Sequence, residues 1–233
     1  MQIPSYLINE HFDDRYFDVV NALDEAQQIH FLNNDLIDRI KKSIDTKTHV
    51  IIGETGFGAG RTVVALMEFI KNNNLKDVYI EYYSVELYPI THERMTSILS
   101  GFNNRVAKEI DVLIKVYESI DIKVPGWHRV KIDQAFGTIE LNLWIGEALE
   151  MVQALGYPCD LWFLDGHGPK KNPSMWRHEL LMAIGEKTKT GGTCSSFTVA
   201  GAVRRSLVEA GFTINRLPGC GGKNLVLQGI RNQ

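Results

Sequence analysis

The amino-acid sequence predicts an α/β fold: a mostly parallel sheet that finishes in an antiparallel hairpin. Three observations carry that reading. From Val50 onward, short apolar runs alternate with helix-like segments, the order that sets helices between parallel strands. A glycine cluster, Gly53-Glu54-Thr55-Gly56-Phe57-Gly58-Ala59-Gly60, lies between the first of those runs and the first amphipathic stretch. Near the C-terminus, strand-like segments beginning at Phe212 and Leu225 are separated by a glycine turn at 219–222, so they must run antiparallel.

Taken in order, residues 1–45 read as an N-terminal extension packed on the core, and 46–233 as one domain. The extension mixes acidic and aromatic positions, Phe12-Asp13-Asp14-Arg15-Tyr16-Phe17, then takes helical spacing through Leu36, Ile37 and Ile40. Strands are expected at 49–53, 78–86, 159–165 and 191–198, with an amphipathic helix from Arg61 to about Lys71. Between the second and third strands, Arg129-Val130-Lys131-Ile132 and Thr138-Ile139-Glu140-Leu141-Asn142-Leu143-Trp144 alternate with period two around a turn at 133–137. They predict a hairpin whose second arm joins the main sheet. A helix around 203–210 is stopped by Gly211. A doubly wound sheet closed by an antiparallel hairpin is the usual architecture of class I, Rossmann-like methyltransferases. Simple dinucleotide-binding folds end on parallel strands.

The 233 residues suit one α/β domain with small additions. No apolar run is long enough to span a bilayer, and no secretory signal pattern opens the chain, so a cytoplasmic protein without a membrane partner is expected. Cys159, Cys194 and Cys220 form no C-x-x-C pair, which sets zinc aside and predicts no metal. A net charge of −3 does not mark a nucleic-acid binder, but cations cluster at Arg129 and Lys131, at Lys170-Lys171, and at Arg204-Arg205.

Three cofactors compete for the glycine loop. A P-loop would need G-x-x-x-x-G-K-[ST]; the segment 55–62 lacks the first glycine and has Arg61 where the lysine belongs. The dinucleotide fingerprint is G-x-G-x-x-G, whereas Gly56-Phe57-Gly58-Ala59-Gly60 is spaced G-x-G-x-G. That spacing suits a cofactor without a pyrophosphate. Glu54 beside the turn would repel a diphosphate but neutralises an ammonium or a sulfonium, and S-adenosylmethionine carries both. Glu86, ending the run Val78-Tyr79-Ile80-Glu81-Tyr82-Tyr83-Ser84-Val85, can accept from both ribose hydroxyls. Gly146 and Glu147 follow the strand ending at Trp144, where a side chain meets the adenine edge. The expected cofactor shell is therefore Glu54, Gly56, Phe57, Gly58, Gly60, Glu86, Gly146 and Glu147, around S-adenosylmethionine.

Asp165 leaves the apolar strand Leu161-Trp162-Phe163-Leu164 into the loop Gly166-His167-Gly168-Pro169, over the reactive centre. Methyl transfer from a sulfonium is an in-line displacement, so the protein must place the nucleophile and keep its lone pair free. A carboxylate facing an amine orients it and accepts or relays its proton, so Asp165 suits an amine acceptor. His167 is either an assistant in proton removal or a surface residue.

Asp13-Asp14-Arg15-Tyr16-Phe17, the cluster 53–60, Pro125-Gly126-Trp127-His128-Arg129, Trp162-Phe163-Leu164-Asp165-Gly166 with Lys171-Asn172-Pro173 and Met175-Trp176, and Phe197-Thr198 with Val203-Arg204-Arg205 and Glu209-Ala210-Gly211-Phe212 together resemble the methyltransferase domain of the MnmC family. The resemblance runs in order over almost the whole chain. It implies methylation, by S-adenosylmethionine, of 5-aminomethyl-(2-thio)uridine at the tRNA wobble position. By matching position, Asp165 is the catalytic carboxylate. The anticodon stem-loop is the implied partner, with Arg129, Lys170, Lys171, Arg204 and Arg205 as candidate contacts. Many members carry an FAD-dependent oxidase after this domain; this chain stops at Gln233, so no FAD is expected in it. It also has His167 where the family usually has phenylalanine, and Gly221-Gly222-Lys223-Asn224 where a basic run is common. A small-molecule N-methyltransferase and a catalytically silent binding module of the same fold are the alternatives.

Overall fold

The computed structural model describes residues 7–17 and 20–232; positions 1–6 of the expected extension, with 18, 19 and 233, lie outside the described residues. A two-stranded ribbon, β1 (Ile8–Asn9) and β2 (Asp14–Arg15), comes first. Helix α1 (Ala22–Ala26) continues through a π-helical turn (Gln27–Phe31) and a 3-10 turn (Leu32–Asn34) into α2 (Leu36–Thr46). The domain then alternates strongly: β3 (Val50–Thr55), α3 (Arg61–Asn72), β4 (Val78–Glu86), α4 (His92–Leu99), α5 (Asn103–Tyr117), β5 (Gly126–Gln134) and β6 (Gly137–Ile145). It continues with α6 (Ala148–Ala154), β7 (Cys159–Leu164), α7 (His178–Glu186), β8 (Thr188–Ser196), α8 (Gly201–Glu209), β9 (Phe212–Pro218) and β10 (Leu225–Arg231).

The sheet order is β5-β6-β4-β3-β7-β8-β10-β9. Strands β6, β4, β3, β7 and β8 are parallel neighbours, β5 is antiparallel to β6, and β10 is antiparallel to both β8 and β9. This is the class I, Rossmann-like arrangement that the alternation and the glycine turn predicted. The terminal strands are antiparallel as expected, and β10 inserts between β8 and β9. The chain winds outward from β3 in both directions, so the carboxyl ends of β3, β4, β6 and β7 meet around one crevice.

Helices cover both faces, so β3 is buried at all six positions and β7 at every position except Asp160. Ile52, Leu161 and Phe163 pack with Val63, Leu66, Ile70 and Leu113 on one side. Ile51, Trp162 and Leu164 pack with Leu180, Ile184 and Leu207 on the other. Each such side chain contributes about 1.5–3 kcal/mol when fully buried. Trp162 is wholly buried, and Gly53 makes its room, since a Cβ there would overlap the indole ring.

Several boundaries differ from expectation for identifiable reasons. β3 runs on through Glu54 and Thr55, pairing Thr55 with Leu164. β8 begins at Thr188, not 191, because the Gly191-Gly192 pair forms a bulge inside the strand: Cys159 pairs with Thr188, but Leu161 already pairs with Thr193. β8 ends at Ser196, whose Oγ accepts the Thr198 N–H and turns the chain outward. β7 stops at Leu164, making Asp165 the first residue beyond it.

Candidate active site

Two adjoining pockets open at the carboxyl ends of the strands. The first is lined by Gly56, Phe57, Gly58, Glu86, Gly146, Glu147 and Asp165. Six of the eight expected cofactor residues line it, coming from the ends of β3, β4 and β6; Gly60 closes the turn behind Gly58, and Glu54 lies deeper.

The turn itself is tied to the sheet by backbone bonds. Phe57 N–H donates to Val85 O (2.8 Å) and Gly60 N–H to Phe57 O (2.8 Å). Gly56, Gly58 and Gly60 have φ of 98°, 57° and 72°, which L side chains rarely adopt. At Gly60 a Cβ would also lie 2.5 Å from Leu113 Cδ2. The Phe57 ring is buried and stacks on Tyr117 in the core (5.9 Å between centroids). Glu86 Oε2 accepts the Gly58 N–H (2.8 Å) and Oε1 the Tyr88 N–H (2.9 Å). Burial pushes the Glu86 carboxyl up, against those backbone bonds. Gly146 N–H donates to Glu86 O (3.0 Å), and Glu147 holds Arg177 at 3.2 Å.

Glu54 lies behind this wall. Its Oε2 accepts from Ser84 Oγ (2.6 Å), while Oε1, also buried, has no hydrogen-bond partner among the described residues. Burial raises its pKa to about 7, with Ser84 opposing. A buried carboxylate oxygen without a partner fits an arriving ammonium group, and a glycine turn in positive φ fits close approach of a nucleoside. The residues present therefore fit S-adenosylmethionine.

The roof was not foreseen. Asn9, Phe12, Tyr16 and Phe17 line the first pocket, so the N-terminal segment, which packs on the core through Leu7, Phe17, Leu23, Phe31 and Leu36, is also a wall of the site. The run of acids and aromatics at 12–17 was its only sequence signal. His167 fastens it: Nδ1 is 3.3 Å from Asp14 Oδ2, and its ring lies 4.7 Å from that of Phe12. His167 lines both pockets, so the surface reading does not hold.

The second pocket shares Tyr16, Phe17, Arg61, Asp165, Gly166 and His167 with the first, and adds Glu25, His30, Phe197 and Lys223. Asp165 stands at the junction. Its Oδ2 is 2.5 Å from Arg61 Nη2 and 3.5 Å from His30 Nε2, and its Oδ1 accepts the Gly166 N–H at 2.8 Å. Burial alone would raise this carboxyl; Arg61, His30 and Gly166 outweigh it and hold it well below the usual carboxylate range. Arg61, read in the sequence only as a substituted P-loop lysine, is its counter-ion. Glu25 and Lys223 pair at 2.7 Å across the far wall.

The five expected substrate cations are not brought to one place. Arg129 is exposed on β5, at the edge of the sheet, and lines neither pocket. Lys171 Nζ is bound to Asp13 Oδ2 (2.8 Å), Lys170 beside it is exposed, and Arg204 and Arg205 lie on α8 in the opposite half of the sheet. Arg204 and Arg205 line a groove with Arg216, which the sequence did not single out.

A doubly wound sheet with its last strand reversed, a G-x-G-x-G turn and a carboxylate at the end of the next strand define a class I S-adenosylmethionine-dependent methyltransferase. The chain belongs to that family: its model, described as S-adenosyl-L-methionine-dependent methyltransferase, matches residues 107–232, just over half of the sequence. The chain is similar to the tRNA 5-methylaminomethyl-2-thiouridine biosynthesis bifunctional protein MnmC of Pseudomonas entomophila (34% identical, covering 95% of this chain and 33% of the relative). It is equally similar to the protein of that name from Marinomonas sp. (35%, covering 96% and 32%). It thus spans about a third of the length of these curated relatives. Among solved structures, MNMC2 from Aquifex aeolicus shares the fold, with a TM-score of 0.71 at 18% identity over 97% of this chain and 66% of that one.

Proposed function

We propose that the chain transfers a methyl group from S-adenosylmethionine to the primary amine of 5-aminomethyl-(2-thio)uridine at the tRNA wobble position, giving the 5-methylaminomethyl form. The observation that carries this reading is Asp165, shared by a pocket that fits the cofactor and by a second pocket lined with charge and an aromatic ring. The name of the bifunctional relatives supports the tRNA acceptor.

Bound S-adenosylmethionine supplies an electrophilic methyl group on its sulfonium. Glu86 would hold the ribose and Gly146 with Glu147 the adenine edge, while Glu54, behind the wall, would face the ammonium end with its charge. Asp165 is held too firmly as an anion to be an efficient base, so it attracts and orients the acceptor amine. Arg61 beside it works on the proton: a neighbouring cation disfavours the ammonium form and frees the lone pair. The proton is lost to water through the open second pocket.

Phe197 and Lys223 line both the second pocket and a shallow groove with Thr198, Ala200 and Asn224; Gly201, Arg204, Arg205 and Arg216 line the next. We read this track as the course of the anticodon strand, with the three arginines on its phosphates, Lys170 and Lys171 at the rim, and Arg129 outside it. A tRNA acceptor makes the cytoplasm the place of action. Mass spectrometry of nucleosides from the tRNA of a deletion strain tests the reading. The 5-methylaminomethyl nucleoside should vanish and the aminomethyl form accumulate. Unchanged nucleosides would overturn it and favour a small amine as acceptor.

A further inference from the structure

His30 is fully buried, lines the second pocket, and takes no part in the reaction as described so far. It sits on the π-helical turn between α1 and α2. Such a turn is wider than an α-helical one, re-aims the side chains it carries, and is frequent at functional sites.

The hydrogen bonds behind His30 have a direction. Asn34 Nδ2 donates to His30 O (2.7 Å) and to Ser195 Oγ (2.8 Å), which uses both of its amide hydrogens. The amide cannot be reversed, because a carbonyl such as His30 O only accepts. Ser195 Oγ therefore accepts from Asn34, and its own hydrogen, for which no other acceptor is found among the described residues, points at His30 Nδ1, 3.0 Å away. That leaves the single ring proton of a neutral His30 on Nε2, facing Asp165 Oδ2 at 3.5 Å. The charged groups around the imidazole are Asp165, Arg61 and Lys223; burial, the largest influence, favours the uncharged ring.

We propose that Asn34, Ser195 and His30 form a one-way relay that presents a neutral N–H to Asp165, making His30 a positioning residue for methyl transfer. Resting on the amine-acceptor reading, the relay explains how one carboxylate keeps a fixed plane. Arg61 and His30 hold Oδ2 and Gly166 holds Oδ1, so the free lone pairs point into the second pocket. A neutral donor does this without adding a second cation beside Arg61, which would repel an arriving ammonium. The 3.5 Å separation is long for a finished bond, in keeping with catalytic bonds that tighten when substrate binds.

Two measurements on the full chain decide it. Nitrogen NMR of labelled imidazole, with no acceptor present, should show His30 as the neutral Nε2–H tautomer, and Ser195→Ala should convert it to a mixture or to the Nδ1–H form. A wild-type ring with its proton on Nδ1 would overturn the relay. Single-turnover methylation at saturating cofactor and aminomethyl tRNA is the second measurement. His30→Leu should lower the rate about tenfold or more, the scale of losing a hydrogen bond to a charged group. His30→Gln, which keeps a side-chain N–H, should recover most of that loss, and cofactor affinity should be unchanged in both. A leucine variant as fast as wild type, or a glutamine variant as slow as leucine at equal thermal stability, would overturn it. If the wild type methylates no aminomethyl tRNA, the acceptor assignment falls, and the tautomer still decides the relay.

Discussion

The two pockets that meet at Asp165 are made of different material. The cofactor pocket has a backbone floor, with glycines at positive φ and N–H groups turned onto Glu86. The second pocket has paired charges in its wall, Glu25 against Lys223 and Asp165 against Arg61, beside His30 and Phe197. A backbone cradle recognises a shape and tolerates changes around it. A pocket of paired charges recognises ionisation state and loses function when one partner is removed, because the other charge is left buried.

The sharpest way to break this contrast is Asp165→Asn, which keeps shape and removes charge. Single-turnover methylation should fall about 10²-fold or more, while calorimetry should find cofactor affinity nearly unchanged. A near-normal rate would mean that cofactor placement alone drives the reaction. The rate should also rise with pH as the amine deprotonates, in the variant as in the wild type, since Asp165 orients the amine rather than taking its proton. Glu86→Ala tests the other pocket. Losing hydrogen bonds to a charged acceptor should weaken S-adenosylmethionine binding at least about tenfold, with tRNA affinity unaffected. Equal binding by calorimetry would take Glu86 out of the site.

A smaller effect is expected at the arginine groove. Reversing the charge at Arg204 and Arg205 should flatten the salt dependence of tRNA binding, by roughly 0.7 in the log–log slope for each phosphate left without its cation. Cofactor binding should stay as it was; an unchanged slope would move the docking face elsewhere. The mildest test concerns Glu54, whose pKa is raised to about 7. Between its ordinary value and about 7 the folded state binds a proton that the unfolded state lacks, so this group's contribution falls as pH rises through that window and is flat above it. Without cofactor, Glu54→Gln should therefore raise the melting temperature by a few degrees at about pH 8 and leave it near wild type at about pH 5. A variant less stable at the higher pH would show that the carboxylate is ionised and held by partners.

The same contrast decides what could be read in the sequence. The cofactor pocket is local: Glu54 through Gly60 is one turn, and Glu86 and Gly146 each follow a strand whose apolar run is plain. The second pocket gathers residues from 14–17, 25–30, 61, 165–168, 197 and 221–223, which no spacing rule connects. Asp165 was legible because it ends an apolar strand. Arg61 was not, because a cation opening an amphipathic helix looks like any solvated position, and His30 sat unmarked between Ile29 and Phe31. At Gly191-Gly192 the pair looked like a strand start because a bulge and a turn use the same residue. The arginines misled differently: charge runs show where cations are along the chain, and only the sheet order shows that Arg129 and Arg204 lie on opposite flanks.

The insertion of β10 between β8 and β9 has a consequence for biosynthesis. β9 pairs only with β10 among the described residues, so residues 212–218 are synthesised before the strand they pair with. The turn that links these strands supplies Gly221, Gly222 and Lys223 to the second pocket, whereas the first is lined by nothing later than Met175. At roughly 5–20 residues per second, the last wall of the second pocket is synthesised a few seconds after the last residue of the first. A growing chain thus receives the whole lining of the first pocket before the last wall of the second.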